Sequence, residues 1–181
     1  VMSAGSFLIL ARALSPREFG VWALYLTVST FMEMARVGLV QNSFVKFAAG
    51  ADRESWRSLM TSGVVIAAAG LALSITLVVA GAPWLSRLWN EPLLVPVLYD
   101  YWAMALGVTP VIVARFAQQA CSDFRSVMIT NLVYRTGFVV GIVAEWLVLD
   151  RVVLEHLPWL YAAAGLVASP VGLWTIRDVL R

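Results

Sequence analysis

The chain has 181 residues, of which 61% are apolar and only 13% charged, with a mean hydropathy of +0.82. A soluble domain cannot hide that much apolar surface, a disordered chain shows the opposite balance, and a net charge of +2 is too small for a polyanion-binding surface, which excludes a nucleic-acid partner. Collagen-like chains and disulfide scaffolds are excluded too, and Cys121, the only cysteine, allows neither an intrachain disulfide nor a cysteine metal cluster.

The composition predicts an all-α, polytopic transmembrane helix bundle whose first partner is the lipid bilayer. A span takes roughly 20 predominantly apolar residues. Residues 1–11 are apolar but too short to cross, and they lack the basic leader of a signal peptide, so they are expected to be the back end of a truncated span. Ser15-Pro16-Arg17-Glu18 reads as a helix start, with Ser15 as N-cap and Pro16 at the first helical position. The helix it opens covers 19–47 and ends at a polar turn, Ala49-Gly50-Ala51-Asp52-Arg53-Glu54. The clearest span is 58–86, free of Asp, Glu, Lys, Arg and His between Arg57 and Arg87. Trp89-Asn90-Glu91-Pro92 turns the chain into a span at 93–119, and another follows at 126–149. Residues 150–156 form a third polar turn before the last span, 157–176. Residues 1–181 thus read as a single transmembrane domain of about five full spans and one partial span. All are helical, since an open strand edge does not survive in lipid and no ten-residue alternation of the barrel kind is present.

Positive charges set the orientation. With the Pro16 turn outside, the outer loops hold Arg12, Arg17, Arg87 and Arg151, while the inner ends hold Lys46, Arg53, Arg57, Arg115, Arg125, Arg177 and Arg181. The excess places the Arg53 loop in the cytoplasm. Trp84, Trp89, Trp102, Trp146 and Trp159 lie near span ends, where such rings anchor in the interface.

Charged residues inside spans cost about 2.5–3.5 kcal/mol each on insertion scales and usually face a cavity or a partner. Glu33 and Arg36 are three apart in the 19–47 span and share a face, followed by Gly38, Gln41 and Asn42. They neutralise each other for insertion or line a polar path. In the 126–149 span, Asn131, Arg135, Phe138, Ile142 and Glu145 fall on one face. Arg135 there lines a cavity or pairs with Glu33 or another helix, and Glu145 is near an end. The 93–119 span closes with Arg115, Gln118, Gln119 and Ser122 on one face, which also fits a wet helix end. Gly63, Ala67, Gly70 and Ser74 make a small-residue seam, and Gly137 and Gly141 a GxxxG. Pro110 and Pro170 lie inside spans and are expected to kink them. The chain carries no GxSxG, HExxH, P-loop or paired-Asp signature, and its one histidine, His156, sits in a loop as a solvated residue. The residues therefore point to no enzyme, no cofactor and no metal site.

Two segments carry a resemblance. Ala11-Arg12-Ala13-Leu14-Ser15-Pro16-Arg17-Glu18-Phe19-Gly20-Val21-Trp22-Ala23-Leu24, and Arg36-Val37-Gly38-Leu39 followed by Phe44-Val45-Lys46-Phe47, resemble the first two helices of polysaccharide-export flippases. These belong to the multidrug/oligosaccharidyl-lipid/polysaccharide (MOP) transporter superfamily. The match covers residues 7–60 by motif and the rest by helix count and spacing. It implies a multi-pass transporter of the bacterial inner membrane, with two six-helix halves around a central cavity. Such a protein flips an isoprenoid-diphosphate-linked oligosaccharide outward, as in O-antigen or other polysaccharide synthesis, and this chain would be its N-terminal half, partnered by the missing half or by another chain. Under that reading Arg36 and Arg135 would hold the anionic head group, because buried arginines bind such oxygens well, and Arg115 would be a further substrate-binding residue. Gln41, Asn42, Gln118, Gln119 and Asn131 would hydrogen-bond sugar hydroxyls, and Glu33 would serve proton or sodium coupling. The rivals are a cation-coupled drug or metabolite exporter of the same superfamily, a non-transporting membrane scaffold and, last, a membrane enzyme of lipid-linked sugar metabolism.

Overall fold

The computed structural model of the protein describes residues 4–48, 53–120 and 122–175, with the side chains of 4, 37, 39–48, 53–60 and 120 outside that description. The described residues form helices α1 (Ala4–Ala13), α2 (Pro16–Ala48), α3 (Arg53–Leu88), α4 (Leu94–Tyr99), α5 (Tyr101–Ala120), α6 (Phe124–Leu149) and α7 (Leu157–Thr175), with a single 3-10 turn at Leu154–His156 and no strand. The fold is the all-α bundle that the composition requires. Among the described residues, four stretches are long and apolar enough to cross a membrane: Thr61–Leu88, Leu94–Gln119, Phe124–Leu149 and Leu154–Thr175. Helix α2, at 33 residues, extends about 50 Å and is long enough as well.

Local chemistry fixes the helix ends. Ser15 N–H donates to Glu18 Oε2 at 2.9 Å and Glu18 N–H to Ser15 Oγ at 3.3 Å, a reciprocal capping box that opens α2. Helix α3 stops at Asn90, whose φ of 51° is left-handed, a conformation asparagine tolerates. There Glu91 N–H reaches back to the Ser86 carbonyl at 2.9 Å and Asn90 N–H to that of Arg87 at 3.2 Å. Asp123 caps α6 by accepting from Ser126 N–H at 3.1 Å. Hydrogen bonding from Ser126, its side chain first and its backbone N–H second, holds the Asp123 carboxyl below its usual range.

The turn before α2, the turn after α3 and the connector after α6 meet at one end of the bundle. Arg17 grips Glu91 with two hydrogen bonds, Nε to Oε2 at 3.0 Å and Nη2 to Oε1 at 2.9 Å. This fork depresses the Glu91 carboxyl and raises Arg17. Glu18 is depressed chiefly by its bonds with Ser15, and Arg151 of the connector adds to the effect.

Small residues decide how closely the helices approach. A Cβ on Gly107 of α5 would lie 2.6 Å from Ala162 Cα of α7, and one on Gly165 would strike the Gly107 carbonyl. On Gly172 it would meet Ala114 Cβ at 2.8 Å. The α5–α7 crossing is therefore backbone against backbone. The GxxxG of α6 packs more loosely on α7, with Gly137 facing Ala164 and Gly141 facing Leu160. Trp22 and Tyr25 of α2, both buried, stack at 5.0 Å, and Phe138 of α6 meets Tyr161 of α7 at 4.3 Å.

Candidate functional site

The inward face of α2 changes character along its length. Trp22, Tyr25 and Ser29 are buried, and three to four residues further on the same stripe becomes charged at Glu33 and Arg36, both half-buried. Arg36 does not pair with Glu33. Its Nη1 donates to Thr109 Oγ1 of α5 at 3.1 Å. Thr109 has already given its own proton to the Ala105 carbonyl at 2.6 Å, so its oxygen is an acceptor for the guanidinium. Gly70 on the small seam of α3 makes room for the arginine stem, since a Cβ there would lie 3.3 Å from Arg36 Cγ.

Glu33 acts electrostatically on three tyrosines. Tyr134 of α6 and Tyr161 of α7 both lie within its electrostatic reach, as does Tyr101 of α5. Tyr134 and Tyr161 meet edge to face at 5.5 Å. Arg115 acts on Tyr134 and Arg135 on Tyr161, so one aromatic pair is flanked by an acid and two guanidiniums.

Arg135 is exposed near the middle of the 26-residue α6, while Asn131, one turn earlier, is half-buried. Further along the same face Phe138 and Ile142 are buried, so the polar stripe expected there is closed off by core packing. The structure does not bring Arg36 and Arg135 to a common partner. At the other end of α5, Arg115 keeps its Nε buried without a hydrogen-bond partner. Gln118 is wholly buried, and its Nε2 reaches Thr175 Oγ1 at 2.8 Å and Thr130 Oγ1 at 3.0 Å, with the Gly172 carbonyl at 3.5 Å. That geometry makes it a polar tie between α5, α6 and α7. Gln119 is half-buried beside it. The side chains of Gln41 and Asn42 lie outside the described residues.

Thr109, Tyr134 and Tyr161 escaped the sequence reading because hydroxyl-bearing residues in apolar spans carry no charge signal. The spacing held a clue to one of them, since Tyr134 follows Asn131 by three residues on α6. His156 was read as solvated, yet its Nδ1 lies 2.7 Å from Glu145 Oε1. Among the described residues no group of three or more His, Cys, Asp or Glu is placed to hold a metal ion.

The chain matches, over residues 1–181, the family described as "Polysaccharide biosynthesis protein". No curated protein and no solved structure matches it.

Proposed function

We propose that this chain, which belongs to the polysaccharide biosynthesis protein family of the MOP flippase superfamily, forms the wall of a flippase that moves an isoprenoid-diphosphate-linked oligosaccharide outward across the bacterial inner membrane. The family is of the transporter type, and the chain is a multi-pass membrane protein. The observation that carries the finer reading is the placement of arginine. Lipid does not tolerate an exposed guanidinium at mid-helix, so the flank of α6 bearing Arg135 faces water or another protein surface. With Arg36 held half-buried on Thr109, that surface offers cations to a diphosphate at membrane depth. A second helix bundle, from the same protein or another chain, would close the path.

In this reading Arg36 and Arg135 receive the head group, with Arg115 as a further substrate-binding residue. Asn131, Gln119, Gln41 and Asn42 serve the sugar hydroxyls. Gln118 is given to helix packing, since its donor group is already spent. Glu33, within electrostatic reach of Tyr101, Tyr134 and Tyr161, is the group for cation coupling. The α2–α3 turn at Arg53 faces the cytoplasm, and labelling of a Ser55→Cys variant from the periplasm would overturn that orientation.

Arg135→Ala in the complete transporter should lower glycan export by roughly tenfold or more with protein levels intact. A lost charged contact of about 1.5–3 kcal/mol corresponds to roughly tenfold to a hundredfold in affinity. Arg135→Lys should rescue only in part, because a point charge does not reproduce the planar fork. Full export by Arg135→Ala would end the proposal.

A further inference from the structure

The connector between α6 and α7 folds the chain's one histidine onto a buried carboxylate. Asp150, left-handed at φ 53°, ends α6 and turns the chain back, and Val152 and Leu154 are buried beneath the turn. Glu145, four residues before the end of α6, has a side chain only 7% exposed. Its Oε1 accepts from Val153 N–H at 3.2 Å and lies 2.7 Å from His156 Nδ1. Its Oε2 is buried with no hydrogen-bond partner. The imidazole is 54% exposed, so it connects the buried acid to bulk water.

A buried carboxylate with one oxygen unsatisfied is costly as a lone anion. A protonated imidazole relieves that cost by donating Nδ1–H to Oε1 and cancelling the charge. We propose that Glu145 and His156 form a proton-binding pair that latches the α6–α7 connector. With the proton bound, the pair is a net-neutral ion pair and the connector is held. When the proton leaves, the uncompensated negative charge stays in the fold and the latch loosens. The binding chemistry is independent of the transport reading. It rests on that reading only in placing this end outside the cytoplasm, where the pair would respond to external protons.

The other titratable groups at this end of the bundle are Arg12 of α1, Arg17 and Glu18 of α2, Arg87 of α3 and Glu91 after it, Tyr99 and Asp100 at the end of α4, Tyr101 of α5, and Asp150, Arg151 and Glu155 of the connector. Among the described residues, none of them hydrogen-bonds to or ion-pairs with Glu145 or His156. Arg151 lies instead within electrostatic reach of Glu18.

Hydrogen–deuterium exchange of the connector tests the latch, read on the chain in lipid nanodiscs with a chelator present, at about pH 5.5 and about pH 8, on either side of the ordinary imidazole range. After correction for intrinsic rates, the connector should exchange about tenfold more slowly at the lower pH, as expected for a charge-assisted contact of about 1.4 kcal/mol. Both His156→Gln and Glu145→Gln should abolish the pH dependence. In Glu145→Gln the carboxamide oxygen still accepts from Val153 N–H, so the connector should stay protected at both pH values. Three results would overturn the proposal: wild-type exchange that does not change with pH, a dependence that survives in either variant, or one that appears only when the chelator is omitted. The assay requires no transport, so its failure and the failure of the flippase reading are separate outcomes.

Discussion

Gln118 shows how a polar residue in a membrane helix is settled by its neighbours. In sequence it shares a face with Arg115 and Gln119 and looks like a sugar ligand. In the fold it is fully buried, and its amide nitrogen is committed to Thr130 and Thr175. Inter-helix hydrogen bonds of this kind contribute about 0.6–1.7 kcal/mol in a membrane. Gln118→Leu should therefore lower the stability of the bundle by about that amount, read by unfolding in detergent, with substrate affinity unchanged in the fraction that remains folded. A loss of affinity at unchanged stability would return Gln118 to the binding surface. Arg36 is the opposite case. Its charge was legible in the sequence and its partner was not, because Thr109 stands on another helix and only the fold brings the two together.

At the scale of elements, the start of α2 was legible because its signals are local, whereas the break at Asp100 that divides the 93–119 segment into α4 and α5 was not. Ser15, Pro16 and Glu18 announce the start of α2 within four residues, and the capping box is there. The closest crossing was not legible. GxxxG on α6 drew attention, yet the tightest approach joins Gly107 of α5 to Gly165 of α7, and their spacing along the chain says nothing about their meeting. The end of the bundle where three turns meet is also held by contacts distant in sequence, above all Arg17 with Glu91. Both Glu91 and Glu18 titrate below the ordinary carboxylate value of 4.5. A depressed carboxylate contributes stability above its unfolded value and loses that contribution as pH falls through its folded one. Acidification below pH 4.5 should therefore release the Leu93 amide, which donates to Glu91 Oε1 at 3.3 Å. Hydrogen exchange at 91–94 should show a step on acidification in the wild type and none in Glu91→Gln.

For the whole molecule, composition alone required a membrane bundle, and the family match over residues 1–181 agrees with the resemblance carried by residues 7–60. The polar groups within the bundle are unevenly distributed. Glu33 of α2, Arg115 of α5 and Arg135 of α6 act on the Tyr134–Tyr161 pair, while Arg36 of α2 is held by Thr109. The α3 side instead presents a broad apolar surface, with Val64, Val65, Leu73 and Leu77 exposed. Exposed apolar side chains also line α6, at Met128, Leu132 and Val140, as expected of helices that face lipid. The sequence could name these charges, but it could not say which would be buried, which exposed and which tied to a neighbour, because that depends on how the helices cross.

The most direct test is translocation in vitro. The complete transporter would be reconstituted into vesicles with a fluorescent isoprenoid-diphosphate-linked oligosaccharide, and the fraction reaching the opposite leaflet measured with time. Wild type should flip the lipid, and Arg36→Ala and Arg135→Ala should each slow it by roughly tenfold or more, while an isoprenoid alcohol without the diphosphate should not be carried. Flipping at the wild-type rate by both variants, or transport of the uncharged lipid as fast as of the diphosphate, would contradict the account.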